Sequence, residues 1–225
     1  MLAFWLDPAI QQLFFNGLVV TLKLTVLSSV AALIIGLLAA FLRHSPLKLF
    51  VMAATMYVEL FRNTPLLIQL YVYYRGLQSV GLVLAPEVCG VLALSLYTGA
   101  YLAEVFRSGL SAIPQEQHDA GVSLGLNRPL VYQLVLIPQA VRIVLPTVGN
   151  QLIALMKNSS LVAFITVGDL FHVIYKGSVD EFRPMEYFLT GAMLYLFVAL
   201  SIAGLVRLVE LTWKQPELEA GVRHV

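Results

Sequence analysis

Glu59, Arg62 and Lys157 are charged residues set inside long apolar runs. At the centre of a membrane helix such a residue costs about 2.5–3.5 kcal/mol on insertion scales, so it faces a bundle interior or a polar cavity. The chemistry on offer is the binding of an ion or a polar solute. Polar neighbours extend the set: Asn63 and Thr64 follow Arg62, and Asn158 and Ser159 follow Lys157. Glu104 and Arg107 close a third apolar run. A blander reading stands beside this one. Glu59 and Arg62 are three residues apart on one helical face and can neutralise each other, and Glu104 and Arg107 share that spacing. Lys157 has no acidic residue near it in sequence. Pro65 adds a further clue, because in a helix it leaves the Phe61 carbonyl without its usual donor. Freed backbone at membrane depth is tolerated where it is buried in protein or lines a water-filled cavity. Broken helices near the midplane are a common way to build a solute site; the alternative is a kink used for packing alone.

The elements that carry these residues follow from composition. Of 225 residues, 59% are hydrophobic and 12% charged, and the mean hydropathy is +0.84. Soluble domains carry about 25% charged residues. The chain is therefore an all-α integral membrane protein. A net charge of +1 gives nucleic acid nothing to bind. The single cysteine, Cys89, lies in an apolar run, supports neither a disulfide framework nor a metal cluster, and reads as a small packing residue. Asp7 and the lack of a basic stretch near the start argue against a cleaved signal peptide.

Apolar runs long enough to span the roughly 30 Å hydrocarbon core cover about residues 16–42, 48–75, 87–107, 144–168 and 186–208 of a single 1–225 domain. Five crossings put the termini on opposite sides. With the N-terminus outside, Arg43, Lys48, Arg107, Arg128, Arg142, Arg207, Lys214 and Arg223 are cytoplasmic. Lys23, Arg75, Lys176 and Arg183 are then external. Eight against four favours this orientation.

Between the third and fourth runs, residues 109–142 are too polar for lipid and too apolar for a plain connector. Their heart is PQEQHDAGVSLGLNRPLVYQLVLIP, from Pro114 to Pro138. Pro114 suits the start of a short helix through Gln117, Asp119 and Val122. Gly125 can end it in the left-handed conformation and reverse the chain. Asn127 can cap a second short helix, which Pro138 is expected to limit. The expected shape is two short helices meeting at a corner near Leu124 and Leu126. Such an element is built to be held by a partner; the alternative is an ordinary amphipathic interfacial loop.

The spacing here is Asp119-Ala120-Gly121, three residues, Gly125, nine residues, then Val135-Leu136-Ile137-Pro138. It resembles the EAA loop of ABC-importer permeases, E-A-A-x3-G-x9-I-x-L-P. Asp119 stands for Glu, Gly121 for the second Ala, Val135 for Ile and Ile137 for Leu. YVELFRNTPLLIQL is similar to the second-span signature of the polar-amino-acid permeases, the histidine/glutamine/glutamate/arginine branch of those importers. NGLVVTLKLT resembles that branch's first-span entry. AYLAEVFRSGLSAIP and PQAVRIVLPTVGNQLIALMKNSSLV resemble its runs into and out of the loop. These blocks cover most of Asn16 to Val167; the last span carries no signature.

The resemblance implies the five-helix type I importer permease fold in a bacterial cytoplasmic (inner) membrane, with a periplasmic N-terminus and a cytoplasmic C-terminus. It implies a polar amino acid moved by alternating access. Two permease subunits, identical or related, would form the pathway. Two ATPase subunits would dock on the cytoplasmic loops through Gln117, Asp119, Ala120, Gly121, Leu124 and Gly125. ATP and Mg would bind those partners, leaving this chain without a cofactor. An extracytoplasmic solute-binding protein would deliver the amino acid. For such a substrate, Arg62 and Lys157 with Asn63, Thr64, Asn158 and Ser159 would surround the carboxylate, and Glu59 or Glu104 would face the ammonium.

Two other classes compete. A secondary transporter or channel also fits intramembrane charges and a broken helix, but does not explain a structured loop with this spacing. An intramembrane enzyme lacks support: there is no nucleophile elbow, no H-E-x-x-H and no paired-acid motif, and His44, His118, His172 and His224 are scattered. Nor is there a phosphate loop with which this chain could split ATP.

Overall fold

The computed structural model of the chain describes residues 2–213. Lys214, Arg223, His224 and the rest of the polar tail lie outside them. A single turn, α1 (Leu2–Trp5), leads into α2 (Pro8–Arg43). This helix starts at Pro8 rather than near residue 16, because Asp7 caps it. Asp7 Oδ1 accepts from the Ala9 amide at 2.9 Å, and Pro8 fills a first-turn position that needs no N–H. Gln11, Gln12 and Asn16 dilute the apolar signal there. At 1.5 Å per residue α2 is about 54 Å long, well beyond the hydrocarbon core.

The second apolar run is not one helix. α3 (Lys48–Asn63) stops before Pro65, where Thr64 is extended with φ −109° and ψ 131°. α4 (Leu66–Tyr71) restarts behind it and passes through a wide π turn, Val72–Gly76, into α5 (Leu77–Ser79). Then come α6 (Pro86–Ser111), α7 (Gln115–Ser123) and α8 (Arg128–Val131). Asn127 caps α8, its Oδ1 accepting from the Leu130 amide at 3.1 Å. Pro138 does not limit the second short helix as expected. A π turn, Tyr132–Leu136, widens the backbone just ahead of it, and Pro138 falls in the first turn of α9 (Ile137–Asn158). There its missing N–H is harmless. A 3-10 turn, Ser159–Ile165, continues α9, so helix is unbroken from Arg128 to Ile165. Last are α10 (Leu170–Asp180) and α11 (Pro184–Trp213). Among the described residues, four helical runs are long and apolar enough to cross a membrane: Pro8–Arg43, Pro86–Ser111, Arg128–Ile165 and Pro184–Trp213.

Packing fixes their directions. Leu24 clusters with Cys89, Ala93 and Leu94, Ala32 with Leu102, and Ala39 with Ala103, so α2 and α6 run parallel. Small residues allow the approach: a Cβ on Gly36 would lie 2.8 Å from that of Leu102. Val144 meets Gly109, Leu155 meets Leu102 and Val162 meets Gly90, so the Arg128–Ile165 run is antiparallel to α6. α10 and α11 form an antiparallel hairpin on the first half of α2, with Ile174 and Tyr187 packed on Phe14.

Asp169 joins these three elements. It is fully buried. Its carboxylate caps α10, accepting from the Phe171 amide at 3.2 Å and the His172 amide at 3.0 Å, and the Tyr195 hydroxyl donates to it at 3.5 Å. The adjacent Leu170 amide donates to Thr21 Oγ1 on α2 at 3.0 Å. Burial pushes the Asp169 carboxyl up to about 6 against the downward pull of those donors. A carboxyl raised in the folded state favours folding most when protonated, so its contribution falls as pH rises from about 4 to about 6. Asp169→Asn keeps one acceptor, which can still cap the His172 amide, while its NH2 in place of Oδ2 can donate to Tyr195 but no longer accepts from the Phe171 amide. We expect it to match or exceed the wild type in denaturation midpoint above pH of about 6 and to lose the wild type's decline across that window. Asp169→Ala should lose about 1 kcal/mol through the missing cap. Unfolding of the purified protein over a pH series checks both; an unchanged decline in Asp169→Asn would remove Asp169 as its source.

Candidate solute site and partner-facing corner

A helix leaves its last four carbonyls without intrahelical donors. At the end of α3 side chains take over. Thr64 Oγ1 donates to the Leu60 carbonyl at 2.8 Å, and the Tyr101 hydroxyl of α6 donates to the Arg62 carbonyl at 3.3 Å. Gln69 Nε2 donates to the carbonyls of Phe61 and Thr64, both at 3.0 Å. The carbonyl that Pro65 deprives is therefore satisfied by Gln69, four residues further on. Sequence reasoning missed Gln69 and Tyr101. The signal for Gln69 was a lone amide in an otherwise apolar run just after a proline.

The charges at the break do not neutralise each other. Glu59 Oε2 accepts from Asn63 Nδ2 at 2.9 Å, and the same nitrogen donates to the Glu59 carbonyl at 2.8 Å. The Arg62 guanidinium lies over the Tyr101 ring, 5.2 Å from its centroid, and its Nε is buried without a partner. Neither Glu59 nor Arg62 has an ion-pair partner among the described residues. The same holds for Lys157, which is exposed near the end of α9 beside half-buried Asn158. Lys157 directly follows Leu155 and Met156, and Leu155 packs on Leu102, one residue from Tyr101.

Two expected members are engaged within the protein. Ser159 is fully buried, and its hydroxyl donates to the Met156 carbonyl at 2.7 Å. Glu104 is held by two arginines. Arg43 Nη1 of α2 reaches its Oε2 at 2.6 Å, and Arg107 Nε reaches its Oε1 at 2.9 Å, with Nη2 on the same oxygen. The helical spacing foretold Arg107; only folding brings Arg43 from the other end of the sequence run. This carboxylate ties α2 to α6.

The corner after α7 is a Schellman motif. The Leu126 amide donates to the Gly121 carbonyl at 3.3 Å and the Gly125 amide to that of Val122 at 2.9 Å. Gly125 has φ +82°, where a side chain is strained. Gly121 is buried, and a Cβ there would lie 3.0 Å from Val131, so it lets α7 seat on α8. That turns it inward. Gln117, Asp119, Ala120 and Leu124 are exposed, Leu124 at 82%. Gln139 at the base of α9 donates to Gln117 at 3.3 Å. Asp119 accepts from Gln115 at 3.2 Å and lies 3.3 Å from the His118 ring. The result is a preformed corner with a polar outer side and a bare leucine at its tip.

Residues 32–215 match the family model for the binding-protein-dependent transport system inner membrane component. The chain is 33% identical over 196 residues to the arginine transport system permease protein of Bacillus subtilis, covering 87% of this chain and 90% of that protein. It is 30% identical over 211 residues to the histidine/lysine/arginine/ornithine transport system permease protein of Escherichia coli, covering 89% of each. Its fold matches a crystal structure of an amino acid ABC transporter with histidines at a TM-score of 0.84 and 34% identity, over 89% of this chain and 94% of that one. An inward-facing methionine ABC transporter shares the fold at a TM-score of 0.79 and 18% identity, over 93% of this chain and all of that one.

The Arg43–Glu104–Arg107 cluster is mostly shielded, so removing its one negative charge leaves two guanidinium groups facing each other. Glu104→Gln should lower stability by about 1–3 kcal/mol. Adding Arg43→Met should recover part of that loss. Thermal unfolding of the two variants checks this, and a Glu104→Gln midpoint equal to wild type would show that the cluster contributes nothing.

Proposed function

The chain belongs to the family of binding-protein-dependent transport system inner membrane components, and from that membership we propose that it carries a polar amino acid inward across the bacterial inner membrane. It is the permease subunit of an ABC importer: it forms pathway, and ATP is split on a separate subunit. Family membership over residues 32–215 is the observation that carries the reading. It favours ATP-driven transport over the gradient-driven alternative. The amino-acid class is supported by relatives named for arginine and for histidine, lysine, arginine and ornithine.

In this reading α3, α4 and α5 together make a fifth crossing, broken at Pro65. The N-terminus is periplasmic and the C-terminus cytoplasmic. Arg62 and Lys157, with Asn63, Thr64 and Asn158, surround the substrate carboxylate, and Glu59 faces the ammonium. The lack of ionic partners for Glu59, Arg62 and Lys157 supports this assignment, because a zwitterion supplies both missing signs. A second permease, identical or homologous, completes the pathway, and an extracytoplasmic solute-binding protein loads it. ATP and Mg are bound by two ATPase subunits, each docked on a corner through Gln117, Asp119, Ala120 and Leu124, with Gly125 making the bend.

Two experiments test this. Cysteine at exposed Gln115 should label only from the cytoplasm, and at exposed Asp180 only from outside; the reverse pattern inverts the topology. Gly125→Val forces a β-branched residue into a left-handed turn at about 1–2 kcal/mol, and Asp119→Lys reverses charge on the outer side. Both should lose ATPase pull-down or uptake while the protein still inserts. Wild-type pull-down and uptake in both variants would exclude the corner as the coupling element.

A further inference from the structure

The break in the second crossing is held by one side chain. Gln69 is 7% exposed, and its amide nitrogen has two hydrogens for two freed carbonyls, those of Phe61 and Thr64. Its donors are fully used. Its Oε1, by contrast, is buried with no partner, and so is Nε of Arg62, next to the Phe61 carbonyl that Gln69 holds. A buried unpaired acceptor and a buried unpaired donor on one joint are costly to leave unmet. Thr64 lies between them in extended conformation, although a proline alone permits a merely kinked helix. Phe61, Thr64, Ile68, Gln69 and Val72 also border a cleft of about 170 Å³, which gives the joint room to flex.

We propose that Gln69 is the positioning residue of the solute site: through the Phe61 and Thr64 carbonyls it holds Thr64 out of helical geometry and fixes the end of α3 that carries Arg62 and Asn63, without touching the solute. This rests on the reading of that turn as the solute site. Without the two donations, the Phe61 and Thr64 carbonyls seek other donors, and the Arg62–Thr64 turn loses its fixed geometry. The unpaired Gln69 Oε1 and Arg62 Nε are the groups that a second arrangement of the joint would satisfy, which suits a subunit that alternates between two states.

The test uses the complete transporter in proteoliposomes, with this chain, its partner permease, the ATPase and the binding protein. The probe is whichever of the common L-amino acids the wild type takes up fastest. Gln69→Met keeps the length of the side chain and removes both N–H groups. Uptake should fall about tenfold, the worth of a buried hydrogen bond, and the melting midpoint should fall with it. Pro65→Ala added to Gln69→Met supplies an N–H to the Phe61 carbonyl and lets the helix close. The midpoint should then recover while uptake does not. Recovery of both together means that Gln69 only stabilises, and unchanged uptake in Gln69→Met means that it does nothing for transport; either result overturns the proposal. Gln69→Glu serves if the Met variant does not assemble. Protonated, it regains one donor, so its uptake relative to wild type should rise as pH falls, and a flat ratio counts against the proposal. Arg62→Met separates the two layers of the argument. Normal uptake in Arg62→Met, or no amino acid uptake by the wild type, defeats the solute-site reading itself. Impaired Arg62→Met beside normal Gln69→Met defeats only the role of Gln69.

Discussion

A buried carbonyl freed by a proline must find a donor that is not water. That requirement shapes the region around Pro65. The donors come from Thr64 and Gln69 nearby and from Tyr101 on α6, so the end of α3 is pinned to both its own continuation and a neighbouring helix. The bonds from Gln69 and Tyr101 are partly buried and stronger for it, and a vacancy there is more costly for the same reason. The break is therefore a defined joint rather than a weak point. It also keeps Arg62 and Asn63 at the end of a helix, where their side chains do not have to follow a continuing helical surface.

The same low dielectric sorts the charges. Glu104 is met by Arg43 and Arg107, and Lys23 by Glu87 at 2.6 Å. The first cluster is shielded and ties α2 to α6; the second is half exposed and contributes little. Glu59, Arg62 and Lys157 are left without ionic partners among the described residues. Of these, Glu59 and Arg62 lie at the end of α3, beside the break.

One continuous helical run joins the corner to the segment carrying Lys157 and Asn158. It begins at Arg128 under the corner, absorbs Pro138 by a π turn that also supports α7, and reaches Lys157 and Asn158 at its far end. No loop interrupts this run. α6 offers a second rigid route, since it carries Tyr101 at the joint and leads into α7.

Much of this was legible in the sequence, because it depends on local chemistry. Hydropathy marks the membrane runs. Pro65 marks the break. Gly125 and Asn127 mark the corner, since a left-handed turn and a helix cap each depend on a few adjacent residues. Other features depend on distant atoms meeting. Arg43 takes Glu104 from 61 residues away in sequence, and Tyr101 reaches Arg62 across 39. No spacing rule anticipates such pairs. Pro138 looked like a helix end because local steric rules count a missing N–H but not a backbone that widens ahead of it. Ser159 looked available because its burial is set by the packing of α9 on α6. Local rules determine where the chain turns and breaks; only tertiary packing decides which polar groups are consumed by the protein itself and which are left over for a solute.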